Sequence, residues 1–236
     1  MALAWHARRS QLALLFLVIL LSIFVPSSDW AWVGAASPAV HSRGGEDAAL
    51  RYYTSALRGA AVSASAESSH EFRSLAKIHY RAVMLRKHHN FGGASRVYRQ
   101  AIQLQQERPP AAEVPACISA ACSWLNLALT EQKSNSLVAA RRTFQDGVAM
   151  VQDLMLRDLH IWVDGQNRLR SSSPEALMCP RVQAALGWLA TLLVAWGLLE
   201  NKRGNSKRAK VLTQKAAVLD GSKSKVLAWK ALEGDL

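Results

Sequence analysis

Cysteine is scarce: Cys117, Cys122 and Cys179 are the only three among 236 residues. An odd, small number excludes a closed disulfide framework. Cys117 and Cys122 stand five apart with no histidine near them and no Cys-x-x-Cys occurs, so no metal site is expected. Small buried apolar residues are the expected role of all three. Proline is sparse at 7, and long β-branched runs bounded by turn signals are missing outside the N-terminus. Acidic residues are few as well, 17 against 29 lysines and arginines, for a net charge of +12. A balance of that size favours anionic partners and says nothing about fold. Also lacking are a Walker loop, GxGxxG, GxSxG, HExxH and a paired-carboxylate site. No catalytic residue, cofactor or small-molecule substrate is therefore expected, which leaves binding as the work. What remains is rich in alanine, leucine, glutamine and arginine, all strong helix formers. The expected class is all-α.

The first 35 residues read as a leader. Arg8 and Arg9 precede an apolar run from Leu12 to Val25, and Val33-Gly34-Ala35 satisfies the small-residue rule for cleavage before Ala36. The run is short for a membrane span, which needs roughly 17–25 apolar residues. Trp30 and Trp32 nevertheless suit a membrane interface, so a signal peptide and a retained signal anchor both stand. The next ten residues, Ala36 to Gly45, hold His41 and Arg43 and no acid. A signal peptide followed by such a segment resembles the bipartite leader of some algal complex plastids. That resemblance implies a plastid address; the secretory pathway and a single-pass anchor are the alternatives.

A repeat emerges behind the leader. Three stretches share one small-residue pattern, with a second small residue 12 positions after the first and a third 7 after that. The sets are Ala82, Ala94, Ala101; Ala128, Ala140, Gly147; and Gly197, Ala209, Ala216. Four residues after the middle member come Tyr98, Phe144 and Thr213, and four before the first come Ile78, Trp124 and Leu193. Two antiparallel helices explain the spacing, because only small side chains fit where the axes approach most closely. The turns between them are His88-His89-Asn90-Phe91-Gly92-Gly93, Ser134-Asn135-Ser136 and Arg203-Gly204-Asn205-Ser206. Each is rich in the residues that stop and restart helices.

Trp124-x2-Leu127-Ala128 followed by Ala140-x3-Phe144 resembles the tetratricopeptide (TPR) signature, with Gly147 in place of the usual alanine and no closing proline. Ala195-Trp196-Gly197-Leu198-Leu199-Glu200 is similar to the half-a-tetratricopeptide (HAT) variant and returns 33 residues later as Ala228-Trp229-Lys230-Ala231-Leu232-Glu233. The resemblance implies a right-handed α-solenoid of antiparallel helix pairs. It divides residues 73–236 into units near 75–108, 121–153 and 190–221 and a partial unit at 226–236. Residues 36–72 form a linker carrying an isolated repeat helix over 46–58, where Ala49, Tyr53 and Ala56 match the second half of a unit.

The alanines at 49, 94, 140 and 209 step by 45, 46 and 69, longer than one unit each time. The excess around Glu107-Arg108-Pro109-Pro110 and Pro115 reads as a loop between repeats. Between Asp153 and Ala176 either one helix and a loop or a decayed repeat fits. There Ser173-Pro174 reads as an N-cap with proline at the first helical position.

Two stretches are strongly basic: Arg73 to Arg99, with seven cations and no acid, and Lys202 to Lys230, with nine cations and one acid. Aligned units end their first helix in Arg86-Lys87, Gln132-Lys133 and Asn201-Lys202. In solenoids of this kind the first helix lines the concave face. These six residues are therefore the candidate ligand-binding set, lysine holding phosphate as a point charge and Arg, Asn and Gln reading base edges. A solvated helix end, with cations favoured by the macrodipole, accounts for the same residues. Resemblance to plant and algal HAT proteins implies single-stranded RNA binding and RNA processing in an organelle. The TPR likeness implies a scaffold for an acidic protein partner, with a membrane involved only if the leader is retained.

Overall fold

The computed structural model describes residues 43–57, 69–107, 115–164, 169–171 and 174–224. The leader, the Arg108–Val114 part of the interrepeat loop, Ser172-Ser173 and the second Trp hexapeptide at 228–233 lie outside them.

The described chain is mostly helical. Helix α1 spans Arg43–Ala56, α2 His70–Lys87, α3 Phe91–Glu107, α4 Ala116–Lys133, α5 Leu137–Leu159, α6 Pro180–Lys202 and α7 Ser206–Leu219. Each packs against the next along the chain, and α4 also touches α6. Three hairpins result: α2–α3, α4–α5 and α6–α7. In the second and third, the first helix starts earlier than its small-residue pattern marks, at Ala116 and Pro180.

One backbone motif builds all three hairpin turns. His89, Asn135 and Gly204 adopt positive φ (59°, 62° and 83°). Their N–H groups donate to Arg86, Gln132 and Asn201, three residues back, and the next N–H donates to Leu85, Glu131 and Glu200, five back. This Schellman arrangement satisfies carbonyls that the helix end leaves open. The following residue opens the next helix, and Ala94, Ala140 and Ala209 donate to Asn90, Ser136 and Asn205. In the first turn α3 begins at Phe91, so Gly92 and Gly93 are helical rather than part of the turn. The Asn90 side chain caps that helix by accepting from the Gly93 N–H at 2.8 Å.

All nine small residues of the pattern are buried. Tyr98, Phe144 and Thr213, four residues after the middle members, are fully enclosed. Gly147 faces Trp124 so closely that an added Cβ would lie 2.8 Å from the Trp124 Cβ, which accounts for a glycine at this position. Gly197 faces Thr213, where the same atom would meet the Cγ2 at 3.0 Å.

The stretch after α5 differs from expectation. His160 ends the helix with a left-handed backbone, and Ile161–Val163 pairs antiparallel with Leu169–Ser171 as a two-stranded hairpin (β1, β2). Its β-branched and aromatic residues favour extended backbone, and Ile161 is buried against the core. Pro174 opens a short 3₁₀ turn, Pro174–Met178, and not an α-helix. The α-helix begins at Pro180, whose missing N–H is harmless at the first position, while Cys179 before it is held extended (φ −65°, ψ 131°).

Candidate functional site

The three predicted pairs occupy equivalent places, each closing the first helix of a hairpin just before its Schellman turn. Arg86, Gln132 and Asn201 are half-buried, whereas Lys87, Lys133 and Lys202 are exposed. The backbone carbonyls of the first members accept the turn hydrogen bonds, so their side chains have a fixed root.

The structure joins only the first two pairs. The Arg86 Nη1 of α2 reaches the Asn126 Oδ1 of α4 at 3.5 Å, a long contact. Asn126 is itself held, its Nδ2 donating to the Cys122 carbonyl at 2.9 Å. Lys133 lies seven residues, about two helical turns, further along α4. Its pKa is drawn below the ordinary lysine value by desolvation and then by the positive charge of Arg86. Tyr52 of α1 completes the cluster. Burial, first of all, pushes its hydroxyl up to about 12, while Arg86 acts in the opposite sense. The Tyr52 ring meets Tyr80 edge-on at 6.3 Å. Among the described residues no carboxylate pairs with Arg86 or Lys133. Two cations, an amide and a phenol thus gather hydrogen-bond donors of the kind that an anion with several oxygens accepts. Asn201 and Lys202 close α6 and have no side-chain link to this cluster among the described residues.

The residue before each pair is as informative. It is Leu85 in the first hairpin and a buried glutamate in the others, Glu131 and Glu200. Glu131 accepts from Thr143 Oγ1 of α5 at 2.6 Å and from Arg99 of α3 at 2.7 Å. Glu200 accepts from Trp196 Nε1 at 3.0 Å, Asn205 Nδ2 at 2.7 Å and Arg141 of α5 at 2.7 Å, with Arg208 at 3.8 Å. In both cases an arginine on the second helix of one hairpin is tied to the first helix of the next. Burial alone would raise the Glu200 pKa. The hydrogen bonds of Asn205 and Trp196 and the charges of Arg141 and Arg208 outweigh it and hold the carboxyl below its ordinary value. These carboxylates are occupied by structural donors and are not open to a ligand.

His88 and His89 are exposed in the first turn. Cys117 and Cys122 are buried, and burial pushes both thiols up to about 12. Cys179 departs from expectation, since it is exposed at the N-terminus of α6 ahead of Pro180. Among the described residues no three His, Cys, Asp or Glu side chains gather as a metal site would require. A cavity of about 120 Å³ opens between α3 and α5 over the start of α4, walled by Ile102, Ala120, Trp124, Met150 and Leu154.

The pairs Arg86-Lys87 and Gln132-Lys133 were legible as helix ends. Tyr52 and Asn126 were not, because they lie on other helices or mid-helix with no local signal. Glu200 did have one: it ends the Trp196 hexapeptide, at i+4 from the indole it binds. No family model matches the chain, nor does any curated protein or solved structure.

Proposed function

We propose that this protein is a non-enzymatic binding protein, a right-handed solenoid of TPR/HAT-like helix pairs. Its basic first-helix face binds single-stranded RNA in an organelle, in the service of RNA processing. The observation that carries this reading is the Arg86–Lys133 cluster, two close cations with an amide and a tyrosine and no acid to neutralise them. Phosphate supplies the missing charge, and Asn126 and Gln132 supply groups suited to base edges. The helix-to-next-helix packing and the three identical turns support the solenoid. The acid-poor segment behind the apolar leader supports the plastid address.

The test is anisotropy of a labelled oligo(U) strand against the full chain over a range of salt. Binding should weaken steeply as salt rises, because neutralised phosphates release counterions. An R86Q/K133Q variant should bind about tenfold or more weakly, and its log–log salt slope should fall by about 1.4, the release expected for two single-strand phosphates. No binding at low salt defeats the proposal, as does a double variant indistinguishable from the parent.

A second reading is a scaffold for an acidic protein partner. The cavity between α3 and α5 favours it, since about 120 Å³ walled by Ile102, Trp124, Met150 and Leu154 and rimmed by Gln105, Gln106, Asp153 and Arg157 suits one anchoring side chain with a polar end. Partners retained in a pull-down after nuclease treatment support the scaffold; partners lost on nuclease treatment support RNA.

A further inference from the structure

The second helices of the three hairpins present aligned outward faces, and the third is unlike the others. Two residues beyond the middle alanine stand Arg96, Arg142 and Val211, and nine beyond it Gln103, Ala149 and Val218, all exposed. Val211 and Val218 keep 49% and 58% of their surface in solvent. Elsewhere in α7 the apolar residues do turn inward: Ala209, Leu212, Ala216 and Leu219 are buried against α6. With 3.6 residues per turn, Lys207, Val211, Gln214, Lys215 and Val218 fall within an arc of about 100° on the opposite side. Lys210 borders it. Valine weakens an exposed helix relative to the arginine, glutamine or alanine of the other hairpins, so helix stability does not account for it here.

Charge sets the face apart again. On α5 the outward Arg142 is paired with Asp146 at 3.9 Å. Helix α7 contains no acid, and Lys207, Lys210 and Lys215 take part in no ion pair among the described residues. Arg208 is the engaged cation, lying 5.0 Å over the Trp196 ring and directed at Glu200.

We infer that the outward face of α7, the Val211–Val218 stripe flanked by Lys207 and Lys215, docks an acidic amphipathic helix of a partner protein. Two valines one heptad apart match the seam on which helices pack, and lysines beside such a seam select glutamates or aspartates opposite. A phosphate backbone would use the lysines and leave the valines in water. A lipid surface favours larger apolar groups such as Trp, Phe or Leu on the buried face. The surface is separate from the Arg86–Lys133 cluster and does not depend on the RNA reading.

The probe is a synthetic helical peptide with a leucine seam flanked by glutamates, compared by anisotropy with a peptide of the same composition and charge in scrambled order. The full chain should bind the patterned peptide at least tenfold more tightly. V211S/V218S, which leaves net charge unaltered, should remove that preference, and K207E/K215E should weaken the patterned peptide further than the scrambled one. Because these residues face solvent, unchanged circular dichroism is expected for both variants. Equal affinity for the two peptides overturns the proposal, as does a V211S/V218S variant that keeps the preference. The valine-to-serine change weakening oligo(U) or anionic-vesicle binding instead of peptide binding also overturns it.

Discussion

Two buried polar centres, one in each half of the described chain, solve the same problem in opposite ways. In the first, His79 of α2 lies among Tyr53, Tyr98 and Ser123, with ring centroids 4.6 and 5.5 Å from the two tyrosines. Its Nε2 and the Ser123 hydroxyl lie 2.9 Å apart, and its Nδ1 and both tyrosine hydroxyls are buried without a partner of good geometry. Desolvation lowers the His79 pKa to about 3, so the ring is neutral. In the second, Glu200 keeps its charge because arginines, an indole and an amide converge on it. A sparse set of donors tolerates only a neutral group, whereas a complete set holds an ion. The first centre is therefore the weaker one against acid.

The largest effect that would break this comparison is a pH effect. The folded pKa of His79 lies below the unfolded value of about 6.5, so the unfolded chain binds the extra proton. The corresponding stability is complete above about pH 6.5 and declines as pH falls toward about 3, at up to about 1.4 kcal/mol per pH unit. Glu200 has the same sign but a lower window, its contribution declining only as pH falls below the unfolded carboxyl value of about 4.3. Urea unfolding between pH 7 and 5 should thus report His79 and not Glu200, and H79L should flatten the dependence there. A parent protein equally stable at pH 7 and 5 would mean His79 is not held neutral by burial.

Removing a donor probes the second centre. Arg141→Met leaves Glu200 with Arg208 at 3.8 Å as its nearest cation and should cost about 2–3 kcal/mol, less than a wholly buried pair because Arg141 is itself one-third exposed. Arg99→Met at Glu131 should cost less, since the Arg99 side chain is 61% exposed. Equal losses in chemical denaturation would erase the distinction drawn between the two seams.

Close approach offers a finer contrast. Gly147→Ala drives a Cβ against the Trp124 Cβ at 2.8 Å and should cost about 1–2 kcal/mol net of the better helix propensity of alanine. Gly197→Ala meets the Thr213 methyl at 3.0 Å and should cost about 1 kcal/mol less. Melting temperatures shifted in the reverse order would refute the packing described for the two hairpins. Smallest is the turn comparison: His89→Gly relieves a left-handed backbone already glycine at Gly204 and should stabilise by about 0.5–1 kcal/mol.

The hairpins were readable because close approach imposes a rule on residue size, and that rule leaves a fixed spacing in the chain. Ala82, Ala94 and Ala101 and their counterparts carry it, and all are buried. The β1–β2 hairpin was not read, since Ile161-Trp162-Val163 is three residues long and too short to show alternation. Pro174 and Pro180 offered two helix starts, and proline alone does not choose between a 3₁₀ turn and an α-helix. At the candidate site, adjacency along one helix was visible and adjacency across helices was not. Arg86 meets Asn126, 40 residues away, through packing that no local pattern encodes. Glu131 was hidden for a different reason: a charged residue in the last turn of a helix normally signals solvent.

The three-residue Schellman turns have a consequence for how such a chain changes length. From one small residue to the next across a turn the count is always 12, while from one hairpin to the next it is 46 and then 69. A single residue added inside a turn would rotate the second helix by about 100° and carry its alanines off the contact. Growth, trimming and the grafting of foreign segments are thereby confined to the seams between hairpins, where the β1–β2 excursion already sits.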